Sequence, residues 1–316
     1  MKLRDIGERR ILEEFVLKYL DENSYIDEDA YAFKASEGKL IVVNIDTFVS
    51  STDAPRGMKP RSMGWKTVTM TLSDIMAKGA VPKFFMCSLS VPGWMGVEDF
   101  KGLIDGIRMA CRYYGCMYVG GDLGSSGEIV ITGVGIGETD RYIGRSGAKA
   151  GDSVWTTGFF SNAAIALHYL TRGGRPLENI DQIIMDFFEP KIEKELPRVL
   201  GLLANACIDS SDGLAVSLNE IARMSSVKII VDRLPVSEDL IRYASLNRLE
   251  PTKLAMYCGE EFEFVFTTDR HDEDVLEIFE AYGLRAPVKI GRVLPGEGVY
   301  YRGERIERKG WEHFVG

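Results

Sequence analysis

The sequence predicts an α+β fold in two domains, with mixed sheets and flanking helices in each half. Three observations lead there. The chain has 316 residues, more than one ordinary domain needs. Runs with strand character come in groups broken by helical patterns, without the regular β-α-β rhythm of a parallel nucleotide-binding sheet. A small, polar, glycine-rich stretch, RSGAKAGDS at 145–153, divides the chain near its middle, so the domains are expected at 1–147 and 148–316.

Taken in order, residues 8–20, ERRILEEFVLKYL, place Ile11, Leu12, Phe15, Val16, Tyr19 and Leu20 at helical spacing. The acidic stretch at 21–33 reads as a loop. KLIVVNID is a buried-strand pattern that ends at Asp46. Residues 51–64, STDAPRGMKPRSMG, hold several breakers and read as a long loop. A helix over 64–79 carries Ser73 and Asp74, KFFMCSLSV is a strand, and 98–114 a helix. CMYV is a short strand running into GGDLGSSG, and EIVITGVGIG another strand. The second half predicts helices near 162–172, 191–204, 213–224, 237–247 and 273–282. Its strands fall near 227–232, 261–267 and 287–293, with a further strand-to-helix turn at ACIDSSDGL, 206–214.

Composition bounds the function. Hydrophobic residues make up 45% and charged residues 27%, as in a folded globular protein. No run approaches the roughly 20 apolar residues of a membrane span, and the start, MKLRDIGERRILEEF, lacks the apolar core of a signal peptide. A cytoplasmic location is the expectation. The net charge of −9 argues against a nucleic-acid partner. It leaves anionic substrates open, because metal ions bridge carboxylates to phosphates. The five cysteines form no CxxC pair and there are only three histidines, so a zinc site is not expected and the thiols read as reduced.

The candidate chemistry lies in carboxylates. Asp46 ends a strand, Asp74 sits inside a largely apolar helix, and Asp122 follows two glycines at a strand end. Asp209 and Asp212 share one strand-to-helix turn, and Glu28 and Asp29 lie in the acidic loop. A carboxylate in an apolar segment costs free energy unless something compensates it. Several that converge repel one another unless cations intervene, and Mg²⁺ prefers carboxylate, phosphate and water oxygens. The plain alternative for Asp122, Asp209 and Asp212 is helix capping, which does not serve for Asp74. GxxxxGK[ST] is absent, GVGIGE lacks the last glycine of GxGxxG, and no Ser-His-Asp or Cys-His nucleophile stands out.

VNIDTFVSSTDAP, TLSDIMAKGAVP, VGGDLGSS, RSGAKAGD, IDSSDGL, CGEEFEFVFT and GWEHF come in the order and spacing of the thiamine-monophosphate kinase family. In the aminoimidazole-ribonucleotide-synthetase superfamily the chain resembles archaeal members of that family over nearly its whole length. The resemblance implies that superfamily's two-domain fold and a homodimer formed through the N-terminal halves. It implies direct transfer of the γ-phosphoryl of ATP to thiamine monophosphate, giving thiamine diphosphate, with several Mg²⁺ ions required and K⁺ as a frequent activator. By position, Asp29, Asp46, Asp74, Asp122, Asp209 and Asp212 match the family's metal ligands. Gly121, Asp122, Arg145 and Ser211 match its ATP contacts; Asp53, Glu260 or Glu261, and Trp311 match its thiamine-phosphate side. Trp311 would stack on the cationic ring; its plain alternative is a tail anchor, that of Arg145 a solvated linker charge, and His313 reads as structural.

The sequence departs from the family in several places: Glu28 in the acidic pair, Asn44-Ile45 where hydroxyl residues are common, Asp53 where histidine is frequent, and CGEEFEF for GGEDYEL. The alternatives left open are a paralogue with another acceptor and a catalytically silent ATP-binding protein.

Overall fold

The computed structural model describes residues 3–17, 28–35 and 38–312. The end of the helix expected at 8–20, residues 21–27 of the expected acidic loop, and His313 lie outside the described residues. Two sheets organise the chain. The N-terminal one holds β1 (Tyr31–Lys34), β2 (Leu40–Val49), β3 (Val81–Val91), β4 (Met117–Ser125) and β5 (Val130–Thr139), in the order β1-β2-β5-β3-β4. Only β3 and β4 run parallel. Helix α1 (Glu8–Ile11) continues into a wider π-type turn over Leu12–Val16, and α2 (Ser50–Asp53) is a single turn.

Helices α3 (Pro60–Ala77) and α4 (Val97–Tyr114) cover one face of this sheet. α3 starts earlier than the sequence pattern suggests, because Pro60 sits in its first turn, where the missing N–H is not needed. The alternating glycines of β5 have a packing reason. A Cβ on Gly133, Gly135 or Gly137 would come within 2.3, 2.6 and 2.5 Å of Thr71 and Ile75 side-chain atoms on α3. The opposite face of the sheet is open and apolar, with Tyr31, Phe33, Ile45 and Met117 exposed.

The second sheet has the order β12-β11-β8-β10-β6-β9-β7. Its strands are β6 (Ser153–Thr156), β7 (Ala206–Asp209), β8 (Lys228–Val231), β9 (Phe264–Thr268), β10 (Val288–Leu294), β11 (Gly298–Tyr301) and β12 (Glu304–Ile306). Helices α5 (Asn162–Arg172), α6 (Ile180–Phe188), α7 (Leu196–Leu203), α8 (Leu214–Met224), α9 (Glu238–Asn247), α10 (Pro251–Tyr257) and α11 (Asp272–Ala281) complete this half. β7 and β9 are buried along their whole length. The two halves share one core: Trp65 Nε1 donates to the Pro190 carbonyl (2.8 Å), Arg141 Nη2 donates to the Ala204 carbonyl (2.7 Å), and α3 packs against β7. No helix among the described residues is long and apolar enough to cross a membrane.

Candidate active site

A cleft of about 470 Å³ opens between the halves. Asp29, Asp46, Asp53, Asp74, Asp209 and Asp212 all line it. β2 alternates its side chains, so Asn44 and Asp46 face inward while Ile45 faces out. Asn44 Nδ2 donates to Asp74 Oδ2 (2.6 Å) and to the Thr71 carbonyl (3.2 Å). One residue before Asp74, the Ser73 hydroxyl donates to Asp209 Oδ2 (2.6 Å), linking α3 to the end of β7. Carboxylate oxygens of Asp29, Asp74 and Asp209 lie within 4.8 Å of one another.

That convergence perturbs the acids. Desolvation, then the charges of Asp209, Asp29 and Asp46, push the Asp74 carboxyl well above the usual range. Burial and Asp29 raise Asp209 to about 6, against the Ser73 hydrogen bond. Burial and Asp209 raise Asp212 to about 7, with Arg9 opposing. For Asp29 burial also pulls upward, but the Lys78 and Arg145 charges overcome it and the net shift is down. An all-oxygen donor set whose members raise one another's pKa fits a hard divalent cation, which relieves the repulsion that otherwise favours protons. The residues present therefore fit Mg²⁺.

The turn after β7 is held from two sides. Gly213 has φ of +112°, and Cys258 and Met256 carbonyls crowd it, so no larger residue enters the turn without strain. The N–H groups of Glu260 and Phe262 donate to the Ser211 and Ser210 carbonyls (2.6 and 3.1 Å). Trp311 N–H donates to the Asp212 carbonyl (3.0 Å), and a Cβ on Gly310 would stand 2.2 Å from that same oxygen. Residues 310–311 thus fix Asp212, and they bring the half-exposed Trp311 ring to the cleft edge. α1 lies over the same edge: Arg9 Nη1 donates to the Arg308 carbonyl (3.0 Å), and its backbone N–H donates to Glu312 Oε1 (3.1 Å).

The structure divides the remaining expected residues. Ser211 lines the cleft. Arg145 is no solvated linker charge: its side chain is buried, with Nη1 3.0 Å from Asp29 Oδ1. Asp53 lines the cleft while its Oδ2 accepts the Val49 N–H (2.7 Å). Of the acid pair, Glu260 faces the cleft. Glu261 turns away, accepting the N–H groups of Asn162 and Ala163 (3.1 and 3.2 Å) at the start of α5, and burial raises it to about 7. Glu260 (φ +67°) and Phe262 (φ +54°) adopt left-handed backbone on either side of it, a strained arrangement for residues with side chains.

Gly121 and Asp122 are not brought to the cleft within one chain. Both are part of β4 rather than at a strand end, and a Cβ on Gly121 would meet the Cys87 carbonyl at 1.7 Å, so this glycine lets β4 close on β3. Asp122 is exposed and in register with Ser88, which pairs with Thr132, which pairs with Thr47. That row lies on the outward face, three strand spacings or about 14 Å across.

Sequence reasoning missed four cleft-forming groups. Lys66 on α3 and Lys78, the residue that caps its C-terminal end, are fully buried. Lys66 Nζ bonds Glu260 Oε1 (2.5 Å) and the Asp53 carbonyl (3.2 Å). Lys78 Nζ bonds Glu28 (2.9 Å) and Asp29 (3.0 Å). Asn44 and Arg9 complete the set. The argument that singled out Asp74, a charge inside an apolar helix, applies equally to both lysines.

The chain is similar to known proteins in sequence and in fold. The family of AIR synthase related proteins matches through its N-terminal domain at residues 27–139 and through its C-terminal domain at 149–303. A thiamine-monophosphate kinase of Pyrococcus abyssi is 37% identical, with 95% of this chain and 94% of that one covered. Another, of Aquifex aeolicus, is 30% identical over 99% of this chain and 100% of its own length. The chain belongs to the thiamine-monophosphate kinase family. A solved structure, AaThiL complexed with AMPPCP and TMP, superposes with a TM-score of 0.90 at 30% identity, covering 99% of both chains. The hydrogenase maturation protein HypE of E. coli shares the fold at 18% identity and a TM-score of 0.70. The family's two-domain α+β fold is therefore the fold of this chain, as its sequence pattern led us to expect.

Proposed function

We propose that the protein transfers the γ-phosphoryl group of ATP to thiamine monophosphate, giving thiamine diphosphate and ADP. The observation that carries this reading is the Asp29–Asp74–Asp209 cluster in a cleft, within a chain that superposes over 99% of its length on a relative complexed with AMPPCP and TMP. An oxygen of the acceptor phosphate attacks the γ-phosphorus, the bond from that phosphorus to the β,γ-bridging oxygen breaks, and ADP leaves with the electron pair. No covalent enzyme intermediate and no general base are required, because the acceptor oxygen is already anionic. Both reactants repel, so positioning and charge neutralisation carry the rate.

Asp29, Asp46, Asp74, Asp209 and Asp212 would hold Mg²⁺, which when bound neutralises the phosphate oxygens. The chain's own groups do the rest. Asn44 and Ser73 fix the orientations of Asp74 and Asp209. Ser211 and Arg145, which line the cleft, would offer a hydroxyl and a guanidinium to phosphate oxygens, and Trp311 with Asp53 and Glu260 would offer an aromatic face and negative charge to the cationic thiazolium. Glu261 serves the fold, as a cap for α5.

The open apolar face of the N-terminal sheet supports a homodimer, and Ile45, 65% exposed, lies within it. Gly121 and Asp122 belong to this dimer region and would act there through the partner copy. The acidic net charge and the lack of a membrane-crossing helix among the described residues fit a cytoplasmic enzyme with small-molecule partners and no nucleic acid.

The test is direct. Purified protein with ATP and Mg²⁺ is incubated with and without thiamine monophosphate, and thiamine diphosphate and ADP are quantified. The expected result is equimolar product, abolished by EDTA; ADP release indifferent to thiamine monophosphate would remove this acceptor. Sedimentation of the same preparation reads the dimer.

A further inference from the structure

The acids of the cleft do not all face the same kind of cation. Lys78 is the C-cap of α3, four residues after Asp74, so the last turn and its cap present a carboxylate and an ammonium to the same cluster. Lys78 is fully buried, with bonds of 2.9 Å to Glu28 Oε2 and 3.0 Å to Asp29 Oδ2. Glu28 has its other oxygen engaged as well: Oε1 accepts the Arg145 N–H (2.9 Å). The second oxygen of Asp29 lies 3.0 Å from Arg145 Nη1.

We infer that the Lys78 ammonium is a resident cation of the active cleft, taking a place beside Glu28 and Asp29 that a divalent ion would otherwise hold. This rests on the reading that the cleft binds Mg²⁺ with nucleotide. An ammonium carries a compact charge on a flexible stem, and only burial makes its position permanent. Here the stem is packed at the end of α3 with no water to turn to, so a divalent ion seated on the same two oxygens would stand directly against it. Metal binding then falls to Asp46, Asp74, Asp209 and Asp212, with Asp29 shared between the two kinds of cation. The Glu28 departure from the family's Asp-Asp pair is explained by the same arrangement: the longer side chain reaches the lysine and the Arg145 backbone together.

The experiment counts ions. Mn²⁺ bound per chain is measured by calorimetry and by the EPR signal of free Mn²⁺, with a non-hydrolysable ATP analogue present, for the wild type, Lys78→Met and Lys78→Arg. Lys78→Met is expected to bind one Mn²⁺ more per chain than the wild type, and Lys78→Arg to keep the wild-type count. An unchanged count in Lys78→Met overturns the inference and leaves the metal-dependent reaction standing. A wild type that binds no Mn²⁺ with nucleotide overturns both. If Lys78→Met unfolds without metal, recovery of its fold in Mn²⁺ supports the inference, and failure to recover counts against it.

Discussion

Asp74 carries a contradiction that only a ligand resolves. It lies in a helix where 13 of 18 residues are buried, and burial with the surrounding carboxylates raises its pKa against the opposing charge of Lys78. Asp74→Asn keeps the shape and the partnership with Asn44 but removes one of the repelling charges. Turnover is therefore expected to fall by about 10²-fold or more, while the metal-free protein melts a few degrees higher. Thermal unfolding and steady-state rates on one preparation check both; near-normal turnover would remove Asp74 from the metal set. At this scale much of the site was readable in the sequence, and what was not has physical reasons. Asp74 stood out because a short carboxylate cannot leave an apolar helix for water. Lys66 and Lys78 carry the same signal, a charge within or at the end of that helix, but a lysine stem usually takes its charge to the surface, so the signal discriminates less than it does for a short carboxylate. The choice between Glu260 and Glu261 depends on two left-handed backbone positions that residue type does not announce.

The elements owe their precision to close backbone approach. α3 and α4 cross where Gly64 meets the Leu103 carbonyl and Gly106 meets the Arg61 carbonyl, at 2.2 and 1.8 Å from an added Cβ. Since α3 carries Ser73 and Asp74 and is capped by Lys78, a shift of this crossing moves the cleft. Gly106→Ala is expected to cost about 1–3 kcal/mol through overpacking, and to lower Tm by roughly 5 °C. Gly201→Ala, in α7 with open space around it, should be neutral or slightly stabilising. Circular dichroism melts of the two variants separate crowding from a general effect of losing glycine. The long elements were legible because periodicity accumulates over many residues. β1, β6 and β11 span four residues each and β12 three, too few for a period-two pattern to stand clear of a loop. The GGD motif reads as a strand end but lies within β4, because its glycine serves the pairing of two strands, a contact made by residues 34 positions apart.

The whole molecule joins its halves through charge as well as apolar packing. Acids from residues 29 to 212 meet in one cleft, a convergence no local pattern foretells, and their raised pKa values tie stability to pH. With Asp209 near 6 and Asp212 near 7, the metal-free fold binds more protons than the unfolded chain from about pH 4 to 7. Its stability thus falls as pH rises through that window and levels off above it. Mg²⁺ replaces those protons, so the gain in Tm on adding Mg²⁺ should be larger at pH 8 than at pH 5, by roughly 5 °C. Scanning calorimetry at the two pH values decides this; equal gains would mean the ion sits away from these acids. The placement of Trp311 has one more consequence. Of the four tryptophans, Trp65 and Trp155 are buried, Trp94 is 80% exposed and does not line the cleft, and Trp311 is 48% exposed at its edge. A Trp94→Phe protein would keep one solvent-facing indole, at the mouth of the site, so the molecule carries its own optical reporter: a ligand that covers that ring shifts its emission to shorter wavelength.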